Sequence, residues 1–179
     1  MMRVVQGMLV GVLFACVAGS GMAQEASAKR TTFYVGGGMG PEGSSLTNGD
    51  MPFSVGVMHQ LEGRKLVLGF DLAGEGTSLD STWGKSNDPV QALSMNLLIG
   101  GNLADGGRVK TDAALIVGLR DTARYCAPSF LGFQCYADAD PTQDYAINFG
   151  GVVTVSFDSI VVGLRATSES AQIVAGVRF

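Results

Sequence analysis

The chain has 179 residues and a formal net charge of −4, with twelve Lys and Arg against sixteen Asp and Glu. That balance, without clustered basic residues, leaves no basis for a nucleic-acid partner. Apolar residues make up 46% and there are 26 glycines, a combination foreign to a soluble helical domain. Beyond the first segment no uninterrupted apolar stretch reaches about 20 residues, so no spanning helix is expected.

The chain opens on Met1 to Arg3, a short positive start, and continues through the almost wholly apolar Val4 to Val17. Gly21 and Ala23 put small residues at the two positions a signal peptidase reads. Residues 1–23 are therefore expected to be a cleaved signal peptide, and residues 24–179 a single domain. Two alternatives stay open. One is a retained N-terminal anchor, for which the apolar run is short. The other is a lipoprotein lipidated on Cys16, for which Phe14 is bulky where a small residue is usual. Export leaves Cys126 and Cys135 as an even pair in an oxidising compartment, and one disulfide between them is expected. Closing so short a loop contributes on the order of 2–3 kcal/mol.

The remainder reads as period-2 segments of roughly 8–12 residues, near the spanning length of a tilted membrane strand. Thr31 to Met39 is the first, its parity hidden by Gly36-Gly37-Gly38. Met51 to Gln60 alternates Phe53, Val55 and Val57 with Ser54, Gly56 and Met58. Lys65 to Gly74 sets Leu66, Leu68, Phe70 and Leu72 against Val67, Gly69, Asp71 and Ala73. Val90 to Gly101 sets Leu93, Met95, Leu97 and Ile99 against Ala92, Ser94, Asn96 and Leu98. Val109 to Leu119, Tyr145 to Phe157, Ile160 to Ala166 and Ala171 to Phe179 complete eight strands. Interior glycines, β-branched residues and the lack of a sustained 3.6 period argue against helix.

The connections alternate too. Leu61 to Arg64, Asn102 to Arg108 and Asp158-Ser159 are short; Gly40 to Asp50, Glu75 to Pro89 and Arg120 to Asp144 are long, and Thr167 to Ser170 is a short last link. Tight turns on one side and longer loops on the other are the habit of outer-membrane barrels. The long side and last link collect acidity: Glu42, Asp50, Glu75, Asp80, Asp88, Asp121, Asp138, Asp140, Asp144 and Glu169, against Lys85 and Arg124. In hydrocarbon every backbone polar group needs an internal partner, so spanning strands must close into a barrel. The bulky apolar face is the lipid side. The other face mixes small and polar residues with Asp71, Asp112, Arg165 and Arg178, as suits the narrow interior of eight strands. A soluble lipocalin-like barrel would need the reverse arrangement.

The ending Ile173-Val174-Ala175-Gly176-Val177-Arg178-Phe179 resembles the C-terminal signature of outer-membrane β-barrels, an alternating last strand closing on an aromatic residue. With the leader and eight strands, the chain is similar to the OmpA-domain, OmpX and opacity-protein class. The resemblance implies an all-β, eight-stranded antiparallel up-and-down transmembrane barrel in a Gram-negative outer membrane. It also implies Phe179 as part of the signal read by the barrel-insertion machinery, and outer-membrane lipid and lipopolysaccharide as surroundings.

The inward Asp71, Asp112, Arg165 and Arg178, with Lys110 and Arg120 near the ends, form a candidate ion-pair network, since a lone buried charge is costly. Read structurally it plugs the barrel; read functionally it lines a narrow gated pore. Trp83, Phe130 and Phe133 are aromatic residues in long connections, the last two inside the Cys126–Cys135 ring. They are candidates for anchoring an external ligand or host surface, or for packing on the rim. Asp138, Asp140 and Asp144 lack the spacing and glycine of an EF-hand loop, and no metal or cofactor is expected. Some barrels of the class are lipid A acylases or deacylases. In those deacylases His and Ser lie close on one strand, and Met58-His59-Gln60 offers no such Ser. His59, the only histidine, falls at the short-turn side facing outward, so no catalytic residue is assigned. The expected role is non-enzymatic, in envelope integrity or surface adhesion through the loops. A small pore for ions or solutes is the alternative, and a lipid A-modifying enzyme a more remote one.

Overall fold

A computed structural model describes residues 29–40, 51–80, 88–123 and 143–179. Eight strands follow in order: β1 (Thr31–Met39), β2 (Phe53–Gln60), β3 (Leu66–Asp80), β4 (Asp88–Asp105), β5 (Val109–Ala123), β6 (Gln143–Phe157), β7 (Ile160–Thr167) and β8 (Ala171–Arg178). Each pairs antiparallel with its sequence neighbours, and β1 pairs with β8, so the sheet closes. The seam is sealed by backbone bonds around Phe179. Its N–H donates to Thr31 O at 2.9 Å, and its carbonyl accepts from Arg30 N at 3.0 Å and Thr31 N at 2.9 Å.

The face chemistry is inside out relative to a soluble barrel. Leu66, Leu68, Phe70 and Leu72 of β3 are exposed, as are Leu93, Met95, Leu97 and Ile99 of β4 and Ile147, Phe149 and Val153 of β6. Arg165, Arg178, Asp71, Glu75, Asp112, Asn96 and Asn148 are buried. Because strand side chains alternate, a residue's parity alone decides whether it meets lipid or lumen. The parity of β1, hidden in the sequence, is set by its register: Thr32 and Tyr34 point inward and Val35 outward, with Tyr34 opposite Gly56 of β2.

The strands at the long-connection end overrun their expected limits. β3 and β4 continue pairing from Thr77↔Gln91 to Asp80↔Asp88, past a bulge between Gly74 and Thr77. β5 and β6 pair out to Ala123↔Gln143. The predicted connections Glu75 to Pro89 and Arg120 to Asp144 therefore shrink to residues 81–87 and 124–142. Asp80, Asp88, Asp121 and Asp144 belong to strands rather than loops. A spanning strand needs about 9–11 residues; β3, β5 and β6 have 15 and β4 has 18. β1, β2, β7 and β8 have 8 or 9. One half of the wall thus stands taller than the other.

At the short-turn end the chain reverses through left-handed backbone. Gly107 has φ 78° and Asp158 φ 53°, a conformation that glycine adopts freely and that Asp tolerates better than most residues.

Candidate functional site

The interior is built in three layers, readable along single strands. On β8 the inward positions run Gln172, Val174, Gly176 and Arg178; on β5 they run Asp112, Ala114, Ile116, Gly118 and Arg120. Between the polar ends lies one apolar cluster, including Tyr34, Met58, Leu98, Ile116, Val152 and Val174.

The layer toward the long-connection end is centred on Arg165. Its guanidinium grips two carboxylates at once. Nε and Nη2 donate to the two oxygens of Asp71 at 3.1 and 2.7 Å, and Nη1 and Nη2 to those of Glu75 at 2.8 and 2.9 Å. Arginine's planar fork is suited to such bidentate grips. All three side chains are fully buried. Asp71 also accepts from the Tyr34 hydroxyl at 2.7 Å and Asn96 Nδ2 at 2.8 Å. Glu75 accepts from Ser170 Oγ at 2.6 Å, Thr167 Oγ1 at 2.7 Å and Asn148 Nδ2 at 2.8 Å. Every carboxylate oxygen in this layer has at least two donors, the condition under which buried charge is tolerated.

Glu75 is a correction to the sequence reading, which placed it in an acidic surface loop. It is completely buried on β3 and belongs to the ion cluster. The signal was present: Asp71, Ala73 and Glu75 share one parity. The turn-like Gly74-Glu75-Gly76 ended the predicted strand too early. Gly76 does break the regular geometry, with φ 71°, and a Cβ there would crowd Glu169 at 2.7 Å and Arg120 at 2.8 Å. The bend keeps Glu75 over Arg165 while the strand continues.

The link between β7 and β8 folds onto this layer. Ser168 N donates to Phe149 O at 3.0 Å, and Thr167 and Ser170 hold Glu75. Glu169 pairs with Arg120 Nη2 at 3.0 Å. This short link is thereby tied to β3, β5 and β6.

The layer toward the short-turn end is smaller. Arg178 Nη1 pairs with Asp112 Oδ2, Nη2 donates to Gln60 Oε1 at 3.1 Å, and Nε donates to Lys29 O at 2.9 Å. Asp112 also accepts from Asn102 Nδ2 at 2.8 Å. Lys110 pairs outside this group, with Asp105 at 3.1 Å. Asp71, Asp112, Arg165 and Arg178 thus divide between two separate clusters.

His59 lies on the exposed face at the short-turn end, its Nδ1 2.9 Å from Thr31 Oγ1. Phe179 is exposed beside the seam. Trp83, Cys126, Phe130, Phe133 and Cys135 lie outside the described residues, as do Cys16 and the proposed cleavage site after Ala23.

Comparison of the sequence with protein families and with curated proteins gives no match. Solved structures do resemble it. Ail, the attachment invasion locus protein of Yersinia pestis, solved in complex with the heparin analogue sucrose octasulfate, aligns with a TM-score of 0.50 at 12% identity. The match covers 84% of this chain and 99% of that one. Ail of Yersinia pestis in a phospholipid bilayer nanodisc aligns with a TM-score of 0.46 at 10% identity over the same shares. Strand count and closure agree with the first of these, and the chain has the eight-stranded, antiparallel, up-and-down transmembrane fold of small outer-membrane β-barrels.

Proposed function

We propose that this chain is a non-enzymatic outer-membrane protein whose work is done by the loops at its tall end, in surface interaction or envelope integrity. The observation that carries this is the uneven wall. β3 to β6 run to 15 or 18 residues, beyond a spanning length, and two of their pairings continue at the end where residues 81–87 and 124–142 connect them. Those connections contain Trp83, Phe130 and Phe133, with Cys126 and Cys135 proposed as a disulfide bracing the second. Residues 1–23 are proposed as the signal peptide that sends the chain outward. Phe179 is proposed as part of the mark read by the insertion machinery.

The filled interior favours a plugged barrel over a pore. The apolar cluster of Tyr34, Met58, Leu98 and Ile116 separates the two charge layers, and an ion crossing it would lose its hydration without replacement donors. The position of His59, beside Thr31 on the lipid side at the short-turn end, fits an interfacial residue better than a catalyst for surface lipid.

Ail was solved with a sulfated polyanion, so an external ligand for a barrel of this fold is a reasonable expectation. The acidic loop residues here, Asp138 and Asp140 among them, are a poor electrostatic match for a polyanion. A cationic or divalent-bridged ligand, such as lipopolysaccharide phosphates linked through metal ions, suits them better.

Planar-bilayer recording of the purified protein tests the plug: no stable unitary conductance is expected, and a reproducible channel overturns the reading. Labelling of intact cells tests the orientation. A tag beside Asp88 is expected to react from outside, and one beside Gly63 to stay hidden.

A further inference from the structure

The opposite mouth has a different chemistry. A cavity of about 300 Å³ opens at the short-turn end, its wall carrying Arg30, Arg64, Lys65 and Lys110, with Asp105 the one carboxylate lining it among the described residues. Two of the cations are held in position by acids at the edge. Arg30 Nη1 is 3.1 Å from Glu62 Oε1, and Lys110 Nζ is 3.1 Å from Asp105 Oδ2. Among the described residues Arg64 and Lys65 have no carboxylate within ion-pair distance, so positive charge remains in excess after the pairs are counted. The turn that carries them is fastened to the barrel, because Gln60 Nε2 donates to Arg64 O at 3.1 Å. Nearby, the Arg178 guanidinium is neutralised by Asp112 and does not compete for an anion.

We propose that this mouth binds a phosphate group. A concave site with excess positive charge concentrates anions. Guanidinium forks and ammonium groups together match the oxygens of a phosphate. The volume is at the small end of ligand sites, roughly 300–1,000 Å³, which suits one phosphate ester and little more. Leu66 and Val109, both exposed on the apolar band, lie one residue from Lys65 and Lys110. A phospholipid headgroup of the adjoining leaflet therefore lies within reach, and a free phosphate ester is the other source of the same chemistry.

The test is a titration of the full folded chain, in a sugar-headgroup detergent at constant ionic strength, with inorganic phosphate. Backbone amide shifts of Gly63 and Leu66 are the readout. Saturable shifts are expected, and the double variant R64Q/K65Q is expected to weaken binding by about tenfold or more. R64Q alone serves if the double variant does not fold. A linear drift like that produced by chloride, or unchanged affinity in the folded variant, overturns the proposal. Repeating the titration in nanodiscs with and without phosphatidylglycerol separates the sources. Loss of phosphate binding with phosphatidylglycerol present assigns the mouth to a lipid headgroup. Unchanged binding assigns it to a free phosphate ester.

Discussion

The two charge layers hold the same kinds of groups in different ways. Arg165 sits between two carboxylates and donates to all four of their oxygens, each of which takes a further donor from Tyr34, Asn96, Asn148, Thr167 or Ser170. Arg178 has one carboxylate, and completes its bonding with Gln60 and the carbonyl of Lys29 at the rim. The first layer lies far from the short turns and relies on side chains from β1, β3, β4, β6 and β7. The second lies nearer a mouth, although the Arg178 and Asp112 side chains are also almost fully buried. Two carboxylates side by side must recruit more donors than one, since each unmet buried oxygen carries its own desolvation cost.

Substitution of the two arginines tests that contrast directly. Arg165→Met strands Asp71 and Glu75 together, and should cost about 5 kcal/mol, the upper end for breaking a buried pair. Denaturant titration of the lipid-reconstituted barrel, followed by the folded-to-unfolded gel shift, measures it. A loss no greater than that of the second substitution would break the comparison. Arg178→Met leaves only Asp112, which keeps Asn102 and has the mouth nearby, and should cost about 3 kcal/mol by the same measurement. The exposed pair of Arg30 and Glu62 gives the baseline. Glu62 is 83% exposed, so Glu62→Gln should change stability by less than about 0.5 kcal/mol. A larger effect would mean that the rim, rather than the interior, carries the electrostatic stability.

Most of the strand pattern could be read without coordinates, because lipid on one side and a tight lumen on the other force a strict alternation. Leu93, Met95, Leu97 and Ile99 could face only one way once lipid was the solvent, and they do. Two errors of extent share one cause. Polar and glycine-rich stretches such as Gly74 to Asp80 look like loops, yet backbone pairing resumes at Thr77 past a bulge and runs on to Asp80. Glu75 was lost to that error. Its parity with Asp71 was legible, but its value as a partner was not, because Arg165 lies 90 positions away.

Chain chemistry by itself determined the number of strands, the face that meets lipid, and which charged residues of the recognised strands point inward, because all three follow from a two-residue period and a solvent that rejects polar groups. Closure of the sheet decided the rest. The parity of β1 came from its register against β2 and β8. The division of the inward charges into Asp71–Glu75–Arg165 and Asp112–Arg178 came from which strands face each other across the lumen. Local periodicity tells a side chain which way to point; only the assembled barrel brings residues distant in sequence close enough to pair.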